Sequence, residues 1–185
     1  MSTTLRKAAF LDRDGVINID HGYTYQSDQF DFIDGVFDAC AHLQRLGYLL
    51  IVVTNQSGIA RGYYSEHDFA LLTSWMKQQF AAKGVKIDGV YYCPHHVERG
   101  QAPYNIDCDC RKPNPGMLLQ AMREFGIDPT QSLMVGDKAA DMQAAAAAGV
   151  TRKILVRSGQ TLTDDDLASA DEVWDSLADV VKVTA

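Results

Sequence analysis

Two aspartates placed one residue apart are the residues of this chain best suited to chemistry. Asp12 and Asp14 follow the apolar run at residues 8–11, and Gly15 comes directly after them. A strand that ends in a tight turn would place both carboxylates at the carboxyl edge of a sheet, where open α/β folds assemble their active sites. Carboxylates this close repel each other, so the pattern indicates a site that binds a cation. Taken alone, the same motif is also typical of an acidic turn without a function.

Three further polar residues follow in the order expected of such a site. Thr54 and Asp137 each come at the end of an apolar run, and Lys112 precedes a helix-like stretch. Hydroxyl, ammonium and carboxylate groups are suited to holding a phosphoryl group and its metal ion. Singly, each could be an ordinary turn residue or surface lysine. Asp141, four residues after Asp137, is predicted to lie on the same face in the first turn of the next helix, where the helix dipole favours an acid.

A second cluster of metal-ligand residue types occupies the stretch at residues 93–110. It contains three thiols and two imidazoles. Thiolate and imidazole are zinc ligands, and four of them would close a tetrahedral, structural site that pins the loop. The predicted ligands are Cys93, His95, Cys108 and Cys110, with His96 as the competing imidazole. Free buried thiols or a redox pair are the alternatives.

Length and charge limit the kind of protein. The chain has 185 residues and a net charge of −7, which suits one domain over residues 1–185 and disfavours nucleic-acid binding. The first apolar stretch is too short for a signal peptide or a membrane span. We therefore expect a cytoplasmic monomer with no membrane partner. Cys40 lies apart from the other cysteines and is predicted to pack as a small apolar residue.

Strand-like and helix-like patterns alternate along the chain. Strands are predicted near 8–12, 48–54, 88–92, 132–136 and 153–157, helices near 35–46, 65–83, 115–125 and 138–148, and a last strand and helix after Asp171. This alternation predicts an α/β fold with a doubly wound parallel sheet. Irregular stretches at 15–34 and 93–110 interrupt it, and loops of this length are commonly functional.

The four motifs together resemble the haloacid dehalogenase (HAD) superfamily of phosphatases. They are the Asp12 and Asp14 pair, Thr54, Lys112 and Asp137, in that order. The resemblance implies a Rossmann-like HAD core. The intervals between the motifs leave no room for the cap domain that many relatives carry, so we expect an open site bordered by a zinc-binding loop at about 93–110.

The same resemblance implies a role for each motif residue. Asp12 corresponds to the nucleophile that forms an aspartyl-phosphate, and Asp14 to the general acid and base. Thr54 and Lys112 would bind the phosphoryl oxygens. Mg²⁺ would be held by Asp12, the backbone carbonyl of Asp14, and Asp137.

Longer stretches resemble one family in particular, the D-glycero-D-manno-heptose 1,7-bisphosphate 7-phosphatases of lipopolysaccharide precursor (ADP-heptose) biosynthesis. These stretches are LDRDGVIN, TNQSGIARG, CPHH, CDCRKP and GDK. The resemblance implies a sugar bisphosphate substrate bound by Asp20, His21, Gly22, Tyr23, Asn55, Gln56, Ser57, Arg111 and Lys138. The role of Arg61 stays open. A histidinol-phosphate phosphatase and a non-catalytic, zinc-stabilised binding module are the alternatives.

Overall fold

Six parallel strands form one sheet in the computed structural model, which describes residues 4–183. The strands are β1 (Ala8–Leu11), β2 (Leu49–Asn55), β3 (Gly89–Cys93), β4 (Leu133–Gly136), β5 (Arg152–Val156) and β6 (Glu172–Trp174), in the order β3-β2-β1-β4-β5-β6. This is the strand order of a Rossmann-type fold, so the predicted fold class is confirmed. The two ends of the predicted domain, 1–3 and 184–185, lie outside the described residues.

The helices occupy most of the predicted positions. They are α1 (Val36–Arg45), α2 (Glu66–Ala82), α3 (Gly116–Phe125), α4 (Ala139–Ala147), α5 (Asp164–Ala168) and α6 (Val180–Val183). A capping box between Ser65 and Asp68 starts α2, because each residue bonds the backbone N–H of the other. The short helix α5 was not predicted, and its own capping box between Thr163 and Asp166 was the signal for it.

Both faces of the sheet are covered, which explains why the central strands are apolar throughout. On one face α1, α2 and α6 pack against alternate strand residues such as Leu11 and Val52. On the other face α3 and α4 pack against the intervening residues, such as Phe10 and Ile51. The strands are thus fixed between two hydrophobic layers, and their carboxyl ends meet at one edge.

The strand order reverses at β1, which pairs with β2 on one side and with β4 on the other. Ligands of open α/β sheets bind at such a switch point, beyond the carboxyl ends of the strands. Asp12 follows β1 there, and Asp137 follows β4. Within residues 4–183, the intervals between the motifs hold loops and sheet-covering helices and show no cap domain. None of the described helices is long and apolar enough to cross a membrane.

Candidate active site

Three carboxylates meet where β1 and β4 end. Oxygens of Asp12, Asp137 and Asp141 lie within 4.8 Å of one another. Asp137 and Asp141 are fully buried and Asp12 is 5% exposed. Burial, followed by the charge of Asp141, raises the pKa of Asp12 to about 6. Burial, followed by the charge of Asp12, raises the pKa of Asp137 to about 8. Such crowding of acids is unfavourable unless a cation compensates it.

The surroundings of Asp137 match a cation site. Its Oδ1 is buried and has no hydrogen-bond partner among the described residues. Its Oδ2 accepts a long bond, 3.4 Å, from the backbone N–H of Gln160. Gly15 has a φ of +90°, and a Cβ there would lie 2.5 Å from this same Oδ2. The glycine that follows the acidic pair therefore allows the carboxylate of β4 to approach the end of β1.

Lys112 supplies a fixed positive charge to the cluster. Its Nζ lies 2.6 Å from Asp141 Oδ1 and 3.1 Å from Asp12 Oδ1, and it donates to the carbonyl of Val53 at 2.9 Å. The lysine is 4% exposed. Burial disfavours the charged ammonium, but the carboxylates of Asp12 and Asp141 outweigh burial and raise the pKa of Lys112 above its ordinary value. The ammonium is therefore charged and held beside Asp12.

Asp141 connects this lysine to the start of α4. Its Oδ2 accepts the backbone N–H groups of Asp137 at 3.0 Å and of Lys138 at 3.3 Å. The structure therefore places Asp141 in the first turn of α4, next to Asp137, as predicted. The ion pair with Lys112 was not predicted, because residues so far apart in sequence give no local signal. With both oxygens engaged, Asp141 positions Lys112 and the turn after β4.

Asp14 is not part of the buried acidic cluster and has hydrogen-bond partners of its own. Arg13 Nη2 and Asn18 Nδ2 each donate to its Oδ1 at 2.9 Å, and Gln56 Nε2 donates to its Oδ2 at 3.2 Å. The guanidinium of Arg13 is buried and also donates to the carbonyl of Thr24. A partly exposed carboxyl group held by three donors has a defined orientation toward the cavity. Sequence reasoning had assigned no role to Arg13 or Asn18.

The end of β2 and the turn after it contribute polar groups with fixed partners. Gln56 Nε2 donates to Thr54 Oγ1 at 2.9 Å. Asn55 Oδ1 accepts the backbone N–H of Lys112 at 3.0 Å, and its Nδ2 donates to the carbonyl of Lys112 at 3.2 Å. This two-way contact fixes the Lys112 backbone against β2. Asn55 and Gln56 therefore hold other site residues, in addition to bordering the cavity.

A cavity of about 310 Å³ opens above these groups. Most of the residues predicted to bind substrate line it, namely Asp20, Gly22, Tyr23, Asn55, Gln56, Ser57, Arg111 and Lys138, together with Asp12, Asp14, Lys112 and Asp141. His21 is the exception, because it does not line this cavity and its Nε2 pairs with Asp31 at 2.7 Å. The cavity thus has acids at its base and cations on its wall.

The structure also brings together the predicted cluster of cysteine and histidine side chains. One ligand atom from each of Cys93, His95, Cys108 and Cys110 lies within 4.8 Å of the others. Cys93 Sγ is 3.5 Å from Cys108 Sγ and 3.6 Å from His95 Nδ1. Tetrahedral zinc with ordinary bond lengths would give edges of about 3.4–3.8 Å. Cys110 Sγ and Cys93 Sγ are closer, at 2.8 Å. The hydrogen bond between these two thiols lowers the pKa of Cys110 and raises the pKa of Cys93.

His96 lies outside this cluster. Its Nδ1 accepts the backbone N–H of Arg99 at 3.1 Å. Between His95 and His96, the geometry therefore favours His95 as the fourth ligand. Cys110 is followed directly by Arg111, whose Nη1 donates to the carbonyl of His95 at 3.4 Å. The cysteine cluster and the wall of the cavity are thus continuous.

Comparison with known proteins agrees with this geometry. The family model described as HAD-hydrolase-like matches residues 109–180. The D-glycero-beta-D-manno-heptose-1,7-bisphosphate 7-phosphatase of Vibrio cholerae is 59% identical, covering 95% of this chain and 94% of the relative. The enzyme of that name from Pasteurella multocida is 55% identical, with 97% of each chain covered.

A solved structure shows the same relationship. The D,D-heptose 1,7-bisphosphate phosphatase from B. bronchiseptica, complexed with magnesium and phosphate, superposes with a TM-score of 0.80 at 33% identity, covering 95% of this chain and 96% of that one. Identity at this level over nearly the whole of both chains assigns the family. The chain belongs to the D-glycero-D-manno-heptose 1,7-bisphosphate 7-phosphatases of the HAD-like hydrolases.

Proposed function

We propose that this protein hydrolyses the 7-phosphate of D-glycero-D-manno-heptose 1,7-bisphosphate through an aspartyl-phosphate on Asp12, with Mg²⁺ as cofactor. The observation that carries the proposal is the convergence of Asp12, Asp14 and Lys112 on one cavity, with an oxygen of Asp137 within 4.8 Å of one of Asp12, in a chain 59% identical to a relative named for this reaction. The product would be a heptose 1-phosphate for making the activated sugar of lipopolysaccharide.

The first chemical step uses the two aspartates that follow β1, Asp12 and Asp14. A carboxylate oxygen of Asp12 attacks phosphorus, and the bond between phosphorus and the sugar oxygen breaks. Asp14 gives its proton to the leaving alkoxide and then accepts a proton from the water that hydrolyses the acyl-phosphate. Lys112 and the Thr54 hydroxyl bind the phosphoryl oxygens. Lys112 contacts Asp12 already, so its charge is in place before the substrate arrives.

The acidic cluster fits a magnesium ion. The buried, unpartnered Oδ1 of Asp137 and the raised pKa of both Asp12 and Asp137 support a divalent cation at this position. Asp12, Asp137 and the backbone carbonyl of Asp14 would hold it, and Asp141 is engaged with Lys112. When bound, Mg²⁺ would offset the charges of the carboxylates and the phosphoryl group.

We also propose zinc for the cluster of Cys93, His95, Cys108 and Cys110. Four protein ligands leave no open position, which is typical of a structural site. Zinc there would fix residues 93–110 and, through Cys110, the position of Arg111. Arg111 and Lys138 would then bind the phosphate that is not cleaved. Histidinol phosphate carries a cationic amine instead of a second phosphate. The positive charges of Arg111 and Lys138 would repel that amine.

The direct test is phosphate release with Mg²⁺ from three substrates side by side. These are heptose 1,7-bisphosphate, fructose 1,6-bisphosphate and histidinol phosphate. We expect the highest kcat/KM on the heptose substrate, with ³¹P NMR showing that the 1-phosphate remains. Preference for histidinol phosphate, or no release from any of the three, would contradict the proposal.

A further inference from the structure

A tyrosine that borders the cavity is hydrogen-bonded to another residue of the cavity wall. The hydroxyl of Tyr64 donates to Gln56 Oε1. Tyr64 is 7% exposed and Gln56 is 2% exposed. Burial raises the pKa of Tyr64 above its ordinary value, so the phenol keeps its proton and acts as the donor. A buried bond of this kind defines which end of the Gln56 amide faces which neighbour.

The orientation of that amide matters to Asp14 and Thr54. With Oε1 directed at Tyr64, the NH₂ group donates both to Asp14 Oδ2, at 3.2 Å, and to Thr54 Oγ1, at 2.9 Å. A flipped amide would direct its carbonyl oxygen at the carboxylate, where two acceptors would repel each other. Thr54 Oγ1 accepts from Gln56 and donates a long bond, 3.4 Å, to the carbonyl of Asn55.

The position of the Tyr64 ring is itself determined by close packing. A Cβ at Gly58 would lie 2.2 Å from Cε1 of Tyr64, so the ring occupies space that only glycine leaves open. On its other side the ring stacks on Tyr25, with centroids 5.3 Å apart and planes 5° from parallel. The position of the Tyr64 hydroxyl is therefore fixed by the packing of its ring.

We propose that Tyr64 is a positioning residue that, through the Gln56 amide, holds Asp14 in the orientation from which it protonates the leaving group. This rests on the proposed function, in which the Asp14 proton passes to the alkoxide as the phosphorus–oxygen bond breaks and Asp12 bonds to phosphorus. Tyr64 borders the cavity, but its hydroxyl donates to Gln56, and it is Gln56 that donates to Asp14. Its effect should therefore depend on how much the leaving group needs a proton.

Tyr64→Phe tests this with substituted phenyl phosphates, which share one size and carry no sugar that Gln56 could contact. We expect kcat/KM to fall roughly five- to tenfold for the poorest leaving group and less than about twofold for p-nitrophenyl phosphate. The slope of log kcat/KM against the pKa of the leaving group thus becomes steeper. Tyr25→Phe is the matched control, because it removes a hydroxyl from the stacked partner and should leave the wild-type slope unchanged.

Gln56→Met provides a second route, since it removes the amide and keeps the side chain's length. It should steepen the slope as Tyr64→Phe does, and the two changes combined should be no steeper than Gln56→Met alone. Parallel slopes for wild type and Tyr64→Phe, equal steepening in Tyr25→Phe, or additive effects in the double variant would overturn the inference. Failure of the proposed function is distinguishable, because it is measured on the wild-type protein by its substrate preference or its lack of phosphate release, whereas this inference is measured by the difference in slope between variants.

Discussion

Replacement of Asp141 by asparagine tests how the buried lysine is held. Lys112 lies 2.6 Å from Asp141 Oδ1, and both side chains are almost completely buried. An asparagine amide could still accept the two backbone N–H groups at the start of α4, but it would leave the ammonium without its closest anion. The change therefore isolates the ion pair from the helix-capping contacts.

The expected loss of stability follows from the burial. Removing one partner of a buried ion pair costs about 3–5 kcal/mol. Lys112 keeps Asp12 and the Val53 carbonyl, and Asp12 loses a repelling neighbour, so we take the lower end, about 3 kcal/mol. For a chain of this length that corresponds to a fall in melting temperature of roughly 6–12 °C.

Thermal unfolding followed by circular dichroism, once with Mg²⁺ and once with EDTA, measures this fall in melting temperature. We expect the loss in both conditions, because the lysine needs its partner whether or not a metal is bound. Asp68→Asn is the control, since Asp68 is also the third residue of its helix but is exposed and pairs with no buried cation. A similar fall for both variants, or a fall for Asp141→Asn only with Mg²⁺, would refute the reasoning.

Four further predictions concern catalysis and metals. Asp12→Asn should abolish phosphate release without lowering the melting temperature, because an amide cannot form the acyl-phosphate, and steady turnover would contradict this. Asp14→Asn should lose alkyl phosphate hydrolysis far more than p-nitrophenyl phosphate hydrolysis in steady-state assays, and equal losses would exclude an acid role. Arg111→Ala should lower kcat/KM on the bisphosphate roughly ten- to a hundredfold, from a charge-assisted contact of about 1.5–3 kcal/mol, with p-nitrophenyl phosphate much less affected. A proportionate loss on both substrates would place Arg111 in general phosphate binding. EDTA should remove activity that Mg²⁺ restores, while elemental analysis still finds zinc, and a zinc content well below one per chain would contradict the cysteine site.

The sequence alone predicted the sheet and the residues at its edge. Apolar runs and helix boundaries are local features, so Asp12, Thr54 and Asp137 could be assigned to strand ends without knowing the strand order. Asp141 was placed correctly in the first turn of its helix for the same reason. Parallel strands bring their carboxyl ends to one edge, which is why local signals sufficed to predict that these residues meet.

The sequence predicted the cysteine cluster and its four members, although it left His96 as a competitor of His95. Spacing and residue type indicated a metal site at residues 93–110, yet His95 and His96 are adjacent in sequence and equal in chemistry. The backbone path decides between them, since it directs His95 toward the thiols and leaves His96 on the Arg99 N–H.

Only the tertiary structure decided which side chains fix the catalytic groups. Lys112 and Asp12 are 100 positions apart, and their contact depends on how a loop packs against β2. The bond from Tyr64 through Gln56 to Asp14 likewise joins residues from two loops. Hydrogen bonds and ion pairs depend on distance and direction in space, and no local pattern in the chain encodes either one for residues that are remote in sequence.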